Sequence, residues 1–478
     1  MTIRERIASA PAAAAGRVHL SGIGGIAMAT LAAMLVERGY SVTGSDAAVY
    51  PPASDLLRAA GITPQEGYRA ENLQPPPDWV VIGNALSRGN AEVEYVLDHK
   101  IPYRSLPATV EEFFLPGHRS IVIAGTHGKT STTSLLAWIL HAGGRRPNFL
   151  VGGMVQDFGS SYRLGGGEEF VIEGDEYDSA FFDKAPKFLH YHPDELVITS
   201  LEFDHADIYP DLAAIDLQFR RLVNLVPRAG RIVLWGESRA VAAAAGNAFC
   251  PVERYGLSGD CEWIADQLEF TADATRFRVR CRGRELGAFA MPLAGRHNVL
   301  NALAAIAIAS GRGVAPESIA RALATFRGVR RRLELRGEAR GVLVLDDFAH
   351  HPTAVRETIA AARARWPGRR LWAAFEPRSN TMRRRILENE LAAALADADA
   401  AILGPVNRPQ LLPEDQRMDP ARVVRQLAAA GRPAWAFDSA AEIPRWLSVE
   451  ARPGDLVLVL SNGNFDGLCD KLLEALRR

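Results

Sequence analysis

Cysteine is scarce in this sequence, and its charges nearly cancel. Four cysteines occur among 478 residues and none of them forms a CxxC pair, which argues against a disulfide framework and against a structural zinc site. The 55 Lys and Arg residues are matched by 56 Asp and Glu residues, so the chain has no overall field that would draw it to nucleic acid or to an anionic membrane. Anionic ligands must therefore be held by local groups.

Long hydrophobic runs are also missing. No stretch of about 18 apolar residues occurs, which excludes a typical transmembrane helix. The alanine run over residues 12–15 is too short and too weakly apolar for the core of a signal peptide. The sequence therefore predicts a cytoplasmic protein that is not inserted in a membrane and does not bind nucleic acid.

The chain has instead a regular alternation of strand and helix patterns. Its 478 residues exceed the size of a single hydrophobic core, and its 48% hydrophobic content is typical of a folded protein. The alternation predicts an α/β fold with mainly parallel sheets. A Pro-Gly pair at Pro116 and an arginine-rich stretch over residues 327–340 suggest boundaries. We predict a Rossmann-like domain over residues 1–116, a P-loop ATPase-like domain over 117–327 and a second Rossmann-like domain over 328–478.

A glycine turn follows the first predicted strand. Residues 22–27 read GIGGIA and fit the pattern GxGxxA, and Asp46 stands at about the right distance to bind a ribose hydroxyl. Taken alone the turn predicts NAD binding. Such turns bind other nucleotides as well, because they recognise a diphosphate at the N-terminus of a helix. The alternative is a turn that only packs the helix on the strand.

A second glycine turn has the features of a phosphate-binding loop. Residues 124–131 read AGTHGKTS, after a buried strand pattern and before a helix whose apolar side begins at Leu135. Glycines let backbone N–H groups converge on phosphate oxygens, Lys129 can neutralise transferring charge and Thr130 can bind Mg²⁺. Ile123 stands where the full GxxxxGK[ST] motif has its first glycine. Two separate phosphate-binding turns predict two nucleotides, one of which need not be consumed.

Carboxylates at two further strand ends indicate a bound cation. One apolar run leads into residues 173–178 (EGDEYD) and another into residues 202–205 (EFDH), as in a Walker-B element. Glu173 and His205, together with Thr130, are the predicted metal ligands. His205 is the weaker prediction, because Mg²⁺ prefers oxygen ligands. The alternative for each acid is a helix cap or a solvent-facing side chain.

Five motifs together resemble the Mur ligases, along essentially the whole chain. They are HLSGIGGIAM followed by GSD in the first predicted domain, AGTHGKTST and GRHNVLNALAA in the second, and RRLE and DDFAHHP in the third. The shortened phosphate loop of that family accounts for the missing first glycine. The resemblance implies a ligase that consumes ATP with Mg²⁺ and holds UDP-N-acetylmuramate, not NAD, on the N-terminal turn.

The resemblance also assigns residues to the two nucleotides. For UDP-N-acetylmuramate it implies Gly22, Gly24, Gly25, Ser45, Asp46, Asn84 and Ser87. For ATP it implies Gly125, Thr126, His127, Gly128, Lys129, Thr130, Ser131, Asn298, Asn301, Arg332 and Asp347. None of these roles follows from the periodicity of the sequence.

Within the family, four segments resemble the murein peptide ligases more than the UDP-N-acetylmuramate:L-alanine ligases. They span residues 81–90, 172–188, 201–211 and 376–384. The implied reaction joins the tripeptide L-Ala-γ-D-Glu-meso-diaminopimelate to UDP-N-acetylmuramate through an acyl phosphate, in peptidoglycan recycling. The alternative is the alanine ligase of de novo peptidoglycan synthesis.

The predicted catalytic residues are Lys129, His205 and His350. Lys129 offsets phosphate charge, and either His127 or His205 can sit beside the acyl phosphate. Amide formation also needs a base for the ammonium of the peptide, for which His350 and His351 are both candidates by likeness and residue type. For His351, which precedes Pro352, the alternative is a structural role at the start of a helix.

Three arginines in the last domain are predicted to bind the peptide. Arg378, Arg383 and Arg384 match guanidinium recognition of carboxylates, or else form a solvated face. No lysine occurs between residues 206 and 230, so the carbamylated lysine of several Mur ligases is not expected here. The number of Mg²⁺ ions, the oligomeric state and the third residue of the peptide stay open. The rival classes are an NAD-dependent oxidoreductase, which leaves the phosphate loop unexplained, and a P-loop switch, which leaves two domains unexplained.

Overall fold

A computed structural model describes residues 16–478 of the chain. Residues 12–15, considered above for a signal peptide, lie outside the described residues. The described part forms three large sheets, one after another along the chain, and each is wholly or mainly parallel. This α/β architecture confirms the predicted fold class. Among the helices of residues 16–478, none combines the length and the apolar character that crossing a bilayer requires.

The first sheet carries the N-terminal glycine turn. Its strands are β1 (Arg17–Ser21), β2 (Ser41–Asp46), β3 (Gln65–Glu66), β4 (Trp79–Ile82) and β5 (Tyr103–Arg104). They are all parallel, in the order β3-β2-β1-β4-β5. The accompanying helices are α1 (Ile26–Glu37), α2 (Ala53–Ala59), α3 (Ala91–Asp98) and α4 (Leu106–Phe113). The turn follows β1, where the strand order reverses direction, which is the usual ligand position in such a sheet.

The second sheet carries the phosphate loop. Its strands are β6 (Arg119–Ala124), β7 (Asn148–Val155), β8 (Ser160–Arg163), β9 (Glu169–Gly174), β12 (Glu195–Ile198), β13 (Arg231–Trp235), β14 (Val252–Gly256), β15 (Trp263–Phe270), β16 (Thr275–Cys281) and β17 (Arg284–Met291), while β10 (Asp178–Ala180) and β11 (Asp183–Pro186) form a separate ribbon. The order is β17-β16-β15-β14-β13-β12-β6-β9-β7-β8. The helices are α5 (Lys129–Ala142), α6 (Leu212–Leu225), α7 (Arg239–Ala244), α8 (Arg296–Gly311) and α9 (Pro316–Thr325).

Two elements of the second domain, β6 and α8, have the apolar sequences that their buried positions require. Strand β6 lies between β12 and β9 and is buried on both faces, which suits its nearly continuous apolar run. Helix α8 is buried along most of its length, so it is apolar on all sides. Val299, Leu303 and Ile306 are fully buried, whereas Leu300 is only half-buried.

The third sheet follows the arginine-rich stretch. Its strands are β18 (Glu334–Ala339), β19 (Val342–Asp347), β20 (Leu371–Phe375), β21 (Ala400–Leu403), β22 (Ala434–Ala436) and β23 (Leu456–Leu460), in the order β18-β19-β23-β20-β21-β22. Only β18 is antiparallel among these six. The helices are α10 (Pro352–Arg365), α11 (Glu388–Leu395), α12 (Pro420–Ala429), α13 (Ile443–Glu450) and α14 (Leu468–Arg477). The alternation of strands and helices predicted from the sequence is confirmed in this sheet, while the domain limits at residues 116 and 328 stay predictions.

Candidate active site

The phosphate loop joins β6 to α5, as its motif predicts. Gly125 has φ +138°, and a Cβ there would lie 2.8 Å from the backbone N of Ser200, so the position requires glycine. The Thr126 N–H donates to the Ser200 carbonyl (3.2 Å) and the His127 N–H donates to the Ser200 hydroxyl (2.8 Å). Because α5 begins at Lys129, the positive end of its dipole points at the loop.

Lys129 is mostly buried and lies among carboxylates. Its ammonium donates hydrogen bonds to the Glu176 carboxylate (2.8 Å) and to the Gly125 carbonyl (2.6 Å). Burial by itself lowers the pKa of Lys129, but the carboxylates of Glu176 and Asp175 outweigh burial and raise that pKa. Lys129 is therefore charged, and Glu176 holds it at the loop.

Thr130 and Glu173 form a pair of oxygen donors beside the loop. The Thr130 hydroxyl donates to one Glu173 oxygen at 2.9 Å, and the Gly152 N–H donates to the other at 2.7 Å. A hydroxyl and a carboxylate at this spacing suit a hard cation, so these residues fit the predicted Mg²⁺. The Arg332 guanidinium lies 3.2 Å from Thr130 Oγ1, which brings the C-terminal domain to the same point.

His205 belongs to a different cluster from Glu173. The donor atoms of Asp175, Glu176 and His205 lie within 4.8 Å of one another, and His205 Nε2 is 3.1 Å from Glu176. Burial lowers the pKa of His205, but the Glu176 carboxylate outweighs burial and raises it. His205 also has a left-handed backbone (φ 57°), a strained conformation that tends to occur at functional sites. In the described structure the predicted ligands Glu173 and His205 thus lie in two neighbouring groups.

Two residues assigned to ATP, Asn298 and Asn301, lie in the first two turns of α8. The Thr132 hydroxyl donates to Asn301 Oδ1 at 3.2 Å, and a Cβ on Gly128 of the phosphate loop would meet the same oxygen at 2.5 Å. Asn298 donates to the Ala294 carbonyl at 2.7 Å. Asn301 therefore lies directly beside the phosphate loop, whereas Asn298 bonds to its own segment.

Asp347 and Arg332 meet at the start of the C-terminal domain. The buried Asp347 carboxylate accepts the N–H groups of Leu333 (2.6 Å) and Ala349 (2.7 Å), so it fixes the backbone of both segments. The Arg332 guanidinium lies 4.9 Å from the centre of the Phe348 ring. Asp347 thus positions the segment that carries Arg332, and its predicted contact with ATP stays a prediction.

The N-terminal turn is held by the end of β2. The N–H groups of Gly22 and Ile23 donate to the Ser45 carbonyl at 2.9 and 3.0 Å, and the Gly24 N–H donates to Asp46 Oδ2 at 2.8 Å. A cavity of about 490 Å³ opens beside Asp46. The turn therefore lies next to a space large enough for part of a nucleotide.

Sequence reasoning missed Glu92, a fully buried carboxylate behind this turn. It accepts hydrogen bonds from Ser21 (2.5 Å), Ser45 (2.6 Å) and Asn72 (2.6 Å), and His19 Nε2 lies 3.4 Å away. Burial raises the pKa of Glu92, but these hydrogen bonds outweigh burial and lower it to about 2. The Ser45 hydroxyl is thus directed at Glu92. No local feature of the sequence reveals that Glu92 is buried and hydrogen-bonded in this way, because glutamate is common in the first turn of a helix.

The remaining residues assigned to UDP-N-acetylmuramate follow β4. The Asn84 amide donates to the carbonyl and to the carboxylate of Asp178, both at 3.0 Å. Asn84 therefore lies where the first domain meets the second. Ser87 is exposed, and its predicted role and that of Gly25 stay predictions.

A polar cavity of about 420 Å³ opens where the central and C-terminal domains meet. Arg378 and Arg383 line it, as predicted for the peptide, whereas Arg384 donates to Gln416 at 3.1 Å and does not line the cavity. Arg408 lines it as well. Sequence reasoning missed Arg408, because a single arginine in a loop forms no motif.

Side-chain hydrogen bonds join the two domains at this cavity. The Thr381 hydroxyl donates to Asp204 at 2.6 Å, and the Asn380 amide donates to Asp207 at 2.7 Å. His350 lines the cavity with its Nε2 3.7 Å from Asp204. Burial raises the pKa of Asp204, but its contacts with the His350 ring outweigh burial and hold it well below the usual value. An ionised Asp204 can therefore orient the His350 imidazole.

His351 occupies the N-cap of α10. Its Nδ1 accepts the Thr353 N–H at 3.4 Å, and its Nε2 lies 3.2 Å from the Phe203 carbonyl. Burial lowers the pKa of His351 to about 4. Both ring nitrogens have partners, so of the two histidines considered as the base, His350 is the one that faces the cavity.

Comparison with known protein families gives matches in three segments. Residues 17–115 match the family described as "Mur ligase family, catalytic domain", residues 123–309 match "Mur ligase middle domain" and residues 331–463 match "Mur ligase, glutamate ligase domain". The three matches together cover most of the chain.

Individual relatives agree with these matches. The chain is 44% identical over 467 residues to the UDP-N-acetylmuramate–L-alanyl-γ-D-glutamyl-meso-2,6-diaminoheptandioate ligase of Escherichia coli (strain K12), with 97% of this chain and 98% of that protein covered. It is 35% identical over 461 residues to the UDP-N-acetylmuramate–L-alanine ligase of Salinibacter ruber, with 96% and 95% covered. It matches the crystal structure of a murein peptide ligase from Psychrobacter arcticus with a TM-score of 0.74 at 37% identity, covering 97% and 99%. The chain therefore belongs to the Mur ligase family.

Proposed function

We propose that the chain is an ATP-dependent ligase that joins L-Ala-γ-D-Glu-meso-diaminopimelate to UDP-N-acetylmuramate in peptidoglycan recycling. The observation that carries this proposal is the 44% identity, over 97% of the chain, to the E. coli ligase named for these substrates, against 35% to the S. ruber alanine ligase. The arginine-lined cavity supports it, because a tripeptide with several carboxylates needs more guanidinium partners than free alanine, which has a single carboxylate. We propose the cytoplasm as its location.

The reaction must activate a carboxylate. A carboxylate reacts poorly with amines, because its negative charge repels the nucleophile and it lacks a leaving group. The lactyl carboxylate of UDP-N-acetylmuramate attacks the γ-phosphorus of ATP, which gives an acyl phosphate and ADP. The peptide amine then attacks the acyl carbon, the amide forms, and phosphate and a proton are released.

The groups around the phosphate loop suit the first of these steps. Lys129 and the N-terminus of α5 would place positive charge beside the transferred phosphoryl group. Stabilising the negative charge of that group is the main catalytic task in phosphoryl transfer. Thr130 and Glu173 would hold Mg²⁺. When bound, Mg²⁺ offsets further negative charge on the phosphates.

The cavity between the domains suits the second step. His350 would accept the proton of the attacking amine, and Asp204, 3.7 Å from its Nε2, would stabilise the resulting imidazolium. Arg378 and Arg383 would bind peptide carboxylates. These arginines lie on the segment that Thr381 ties to Asp204, so peptide binding and base orientation use the same domain contact.

The test is a competition between amine substrates. The chain is incubated with ATP, Mg²⁺ and UDP-N-acetylmuramate in the presence of both L-alanine and the tripeptide, and the products are identified by mass spectrometry. We expect the tripeptide adduct with one ADP formed per adduct. An alanine adduct alone would assign the chain to de novo synthesis, and ADP release without either adduct would contradict a ligase of this kind.

A pair of variants tests the cavity. Arg378→Met is expected to raise the KM for the tripeptide by about tenfold or more, since it removes a charge-assisted hydrogen bond. Arg384→Met is the matched control, because Arg384 lies outside the cavity and contacts Gln416. Equal effects of the two substitutions would show that the peptide does not bind in this cavity.

A further inference from the structure

Two histidines and a glutamate converge where the phosphate loop meets the C-terminal domain. His127 Nε2 and His351 Nδ1 lie 3.4 and 3.5 Å from the same atom, Oε2 of Glu202. The three donor atoms all lie within 4.8 Å of one another. In a tetrahedral zinc site with bonds of about 2.0–2.1 Å, neighbouring donor atoms are about 3.3–3.4 Å apart. The side chains are therefore already spaced as two edges of such a site.

The His351 ring is oriented as the ring of a metal-binding histidine is. Its Nε2 lies 3.2 Å from the Phe203 carbonyl, which can only accept, so Nε2 carries the proton of the neutral ring. Nδ1 then carries the lone pair, 3.5 Å from Glu202 Oε2, and a bound ion would replace the hydrogen bond that Nδ1 now accepts. Hydrogen bonds of this kind fix the tautomer of metal ligands. The bond that Nδ1 accepts from the Thr353 N–H is long, at 3.4 Å.

Glu202 is held in place by Thr353, which lies in the first turn of α10. The Thr353 hydroxyl donates to Glu202 Oε2 at 2.7 Å. The carboxylate is therefore anchored between the two rings, and the His127 and His351 ring centres are 4.8 Å apart. A site whose ligands are fixed before binding loses little conformational entropy when an ion enters.

We propose that His127, Glu202 and His351 form a binding site for a divalent transition metal ion of the zinc type, with water as the fourth ligand. Two imidazoles and one carboxylate suit Zn²⁺ or Co²⁺ better than Mg²⁺, which prefers oxygen. The site is therefore distinct from the pair Thr130 and Glu173.

The site lies between two domains, so an ion bound there would affect turnover. His127 belongs to the phosphate loop, Glu202 follows β12 and His351 is the N-cap of α10, so the ligands come from both the central and the C-terminal domain. A bound ion pins the two domains together and opposes the opening that substrate exchange requires, and Zn²⁺ therefore inhibits the enzyme. The inhibition rests on the proposed function, whereas the binding of the ion does not.

Co²⁺ is the probe for binding, because a four-coordinate Co²⁺ ion absorbs visible light far more strongly than the hydrated ion. The full chain is freed of metal with a chelator and titrated with Co²⁺, then with Zn²⁺. We expect one Co²⁺ per chain, with a visible band that Zn²⁺ removes. Glu202→Gln and His351→Asn are each expected to weaken Zn²⁺ binding about tenfold or more, and asparagine keeps an N-cap for α10. Glu176→Gln, in the neighbouring cluster with Asp175 and His205, is the matched control and keeps the band.

Several results would overturn the proposal. They are the absence of a band in the unsubstituted chain at millimolar Co²⁺, a band that Glu202→Gln leaves unchanged, and a band that Glu176→Gln abolishes. Should His351→Asn fail to fold, Glu202→Gln decides the question alone.

Hydrogen exchange and inhibition test the pinning of the domains. With Zn²⁺, the amides of residues 126–128 and 353–356 are expected to exchange about tenfold more slowly in the unsubstituted chain but not in Glu202→Gln. The Zn²⁺ concentration that halves turnover at saturating Mg²⁺ should rise about tenfold in Glu202→Gln, each chain being compared with its own uninhibited rate. Unchanged exchange at both segments would overturn the pinning. A chain without ligase activity would refute the proposed function, and the Co²⁺ band would still decide the metal site.

Discussion

The two glycine turns of this chain occupy equivalent positions, each between the carboxyl end of a parallel strand and the N-terminus of a helix. Their surroundings differ. Behind the N-terminal turn lies Glu92, whose charge is stabilised by neutral hydrogen-bond donors such as Ser21 and Ser45. The phosphate loop is instead followed by Lys129, which is paired with Glu176.

We interpret this difference as a division of roles, in which the N-terminal turn binds a nucleotide and the phosphate loop supports the chemical reaction. A turn whose partners are backbone amides and neutral side chains can hold a diphosphate without weakening its bonds. A turn with a fixed ammonium, a hydroxyl and a carboxylate for a cation, and a guanidinium from another domain can stabilise charge that moves during phosphoryl transfer. We therefore propose that the N-terminal turn serves a nucleotide that is retained and the phosphate loop one that is consumed, and that the charges beside each turn decide which.

Lys129→Met is expected to have the largest effect and to act on the chemistry alone. Loss of one group that stabilises transferring charge typically lowers kcat by about 10²–10³-fold. The rate of ADP formation and the affinity for UDP-N-acetylmuramate, measured by calorimetry, check this. Lys184→Met, which removes an exposed ammonium paired with Asp178, is the control. A comparable loss of UDP-N-acetylmuramate affinity in Lys129→Met would break the division between the two turns.

Glu173→Gln is expected to shift the dependence on Mg²⁺. An amide is a weaker ligand than a carboxylate, so the Mg²⁺ concentration that gives half-maximal activity should rise roughly tenfold or more. Glu168→Gln removes a largely exposed carboxylate outside the ligand pair and should leave the titration unchanged. Identical Mg²⁺ titrations of the Glu173→Gln variant and the unsubstituted chain would remove Glu173 from the metal site.

Glu92→Gln is expected to destabilise the first domain without changing phosphoryl transfer. The pKa of Glu92 is about 2 in the folded chain against an ordinary value of 4.5, so its charge stabilises the fold fully above about pH 4.5 and this stabilisation is lost as the pH falls towards 2. We expect a loss of about 1–3 kcal/mol at pH 7, and a smaller difference from the unsubstituted chain at pH 3.

The measurement for Glu92→Gln is the urea concentration at which the amides of β1 and β4 begin to exchange with solvent. Glu94→Gln is the matched control on the same helix, because its carboxylate pairs with Arg88 at the surface, where ion pairs contribute little. If the difference between Glu92→Gln and the unsubstituted chain grows as the pH falls, the charge of Glu92 is not what stabilises the domain.

Gly24→Ala is expected to have the smallest effect, confined to the retained nucleotide. A Cβ on Gly24 would lie 2.8 Å from Asp46 Oδ2, so the side chain of Asp46 must shift, and we expect the KM for UDP-N-acetylmuramate to rise roughly fivefold at constant kcat. A Cβ on Gly25 would meet nothing closer than 4.0 Å within the protein. An increase in KM for Gly25→Ala would therefore report the ligand itself. A fall in kcat for Gly24→Ala would contradict the division of roles between the N-terminal turn and the phosphate loop.

Local features of the sequence predicted the positions of both turns. A glycine turn between a strand and a helix is fixed by neighbouring residues, and the same holds for the alternation of strands and helices along the chain. Contacts between distant residues could not be predicted in this way. Asp204 and Thr381 are 177 positions apart, and nothing in either segment names the other.

The predicted ligand residues show the same limit. Residue type predicted that Arg378 and Arg384 bind the peptide, with a solvated face as the alternative, but only the path of the backbone shows that Arg378 lines the cavity and that Arg384 does not. Glu92 was missed for a related reason. Its partners come from β1, β2 and the segment before β4, and burial of a glutamate depends on where those elements meet.

The place of β23 in the third sheet has a consequence for how this domain is made. It is the last strand of the sheet to leave the ribosome, yet it lies in the centre, between β19 and β20. Until residues 456–460 are synthesised, β19 and β20 present unpaired edges that are open to mispairing. The two strands lead into His350 and Arg378 respectively. The proposed base and the proposed peptide-binding arginine are thus aligned with each other only after this final strand inserts, so an unfinished chain cannot assemble the cavity early.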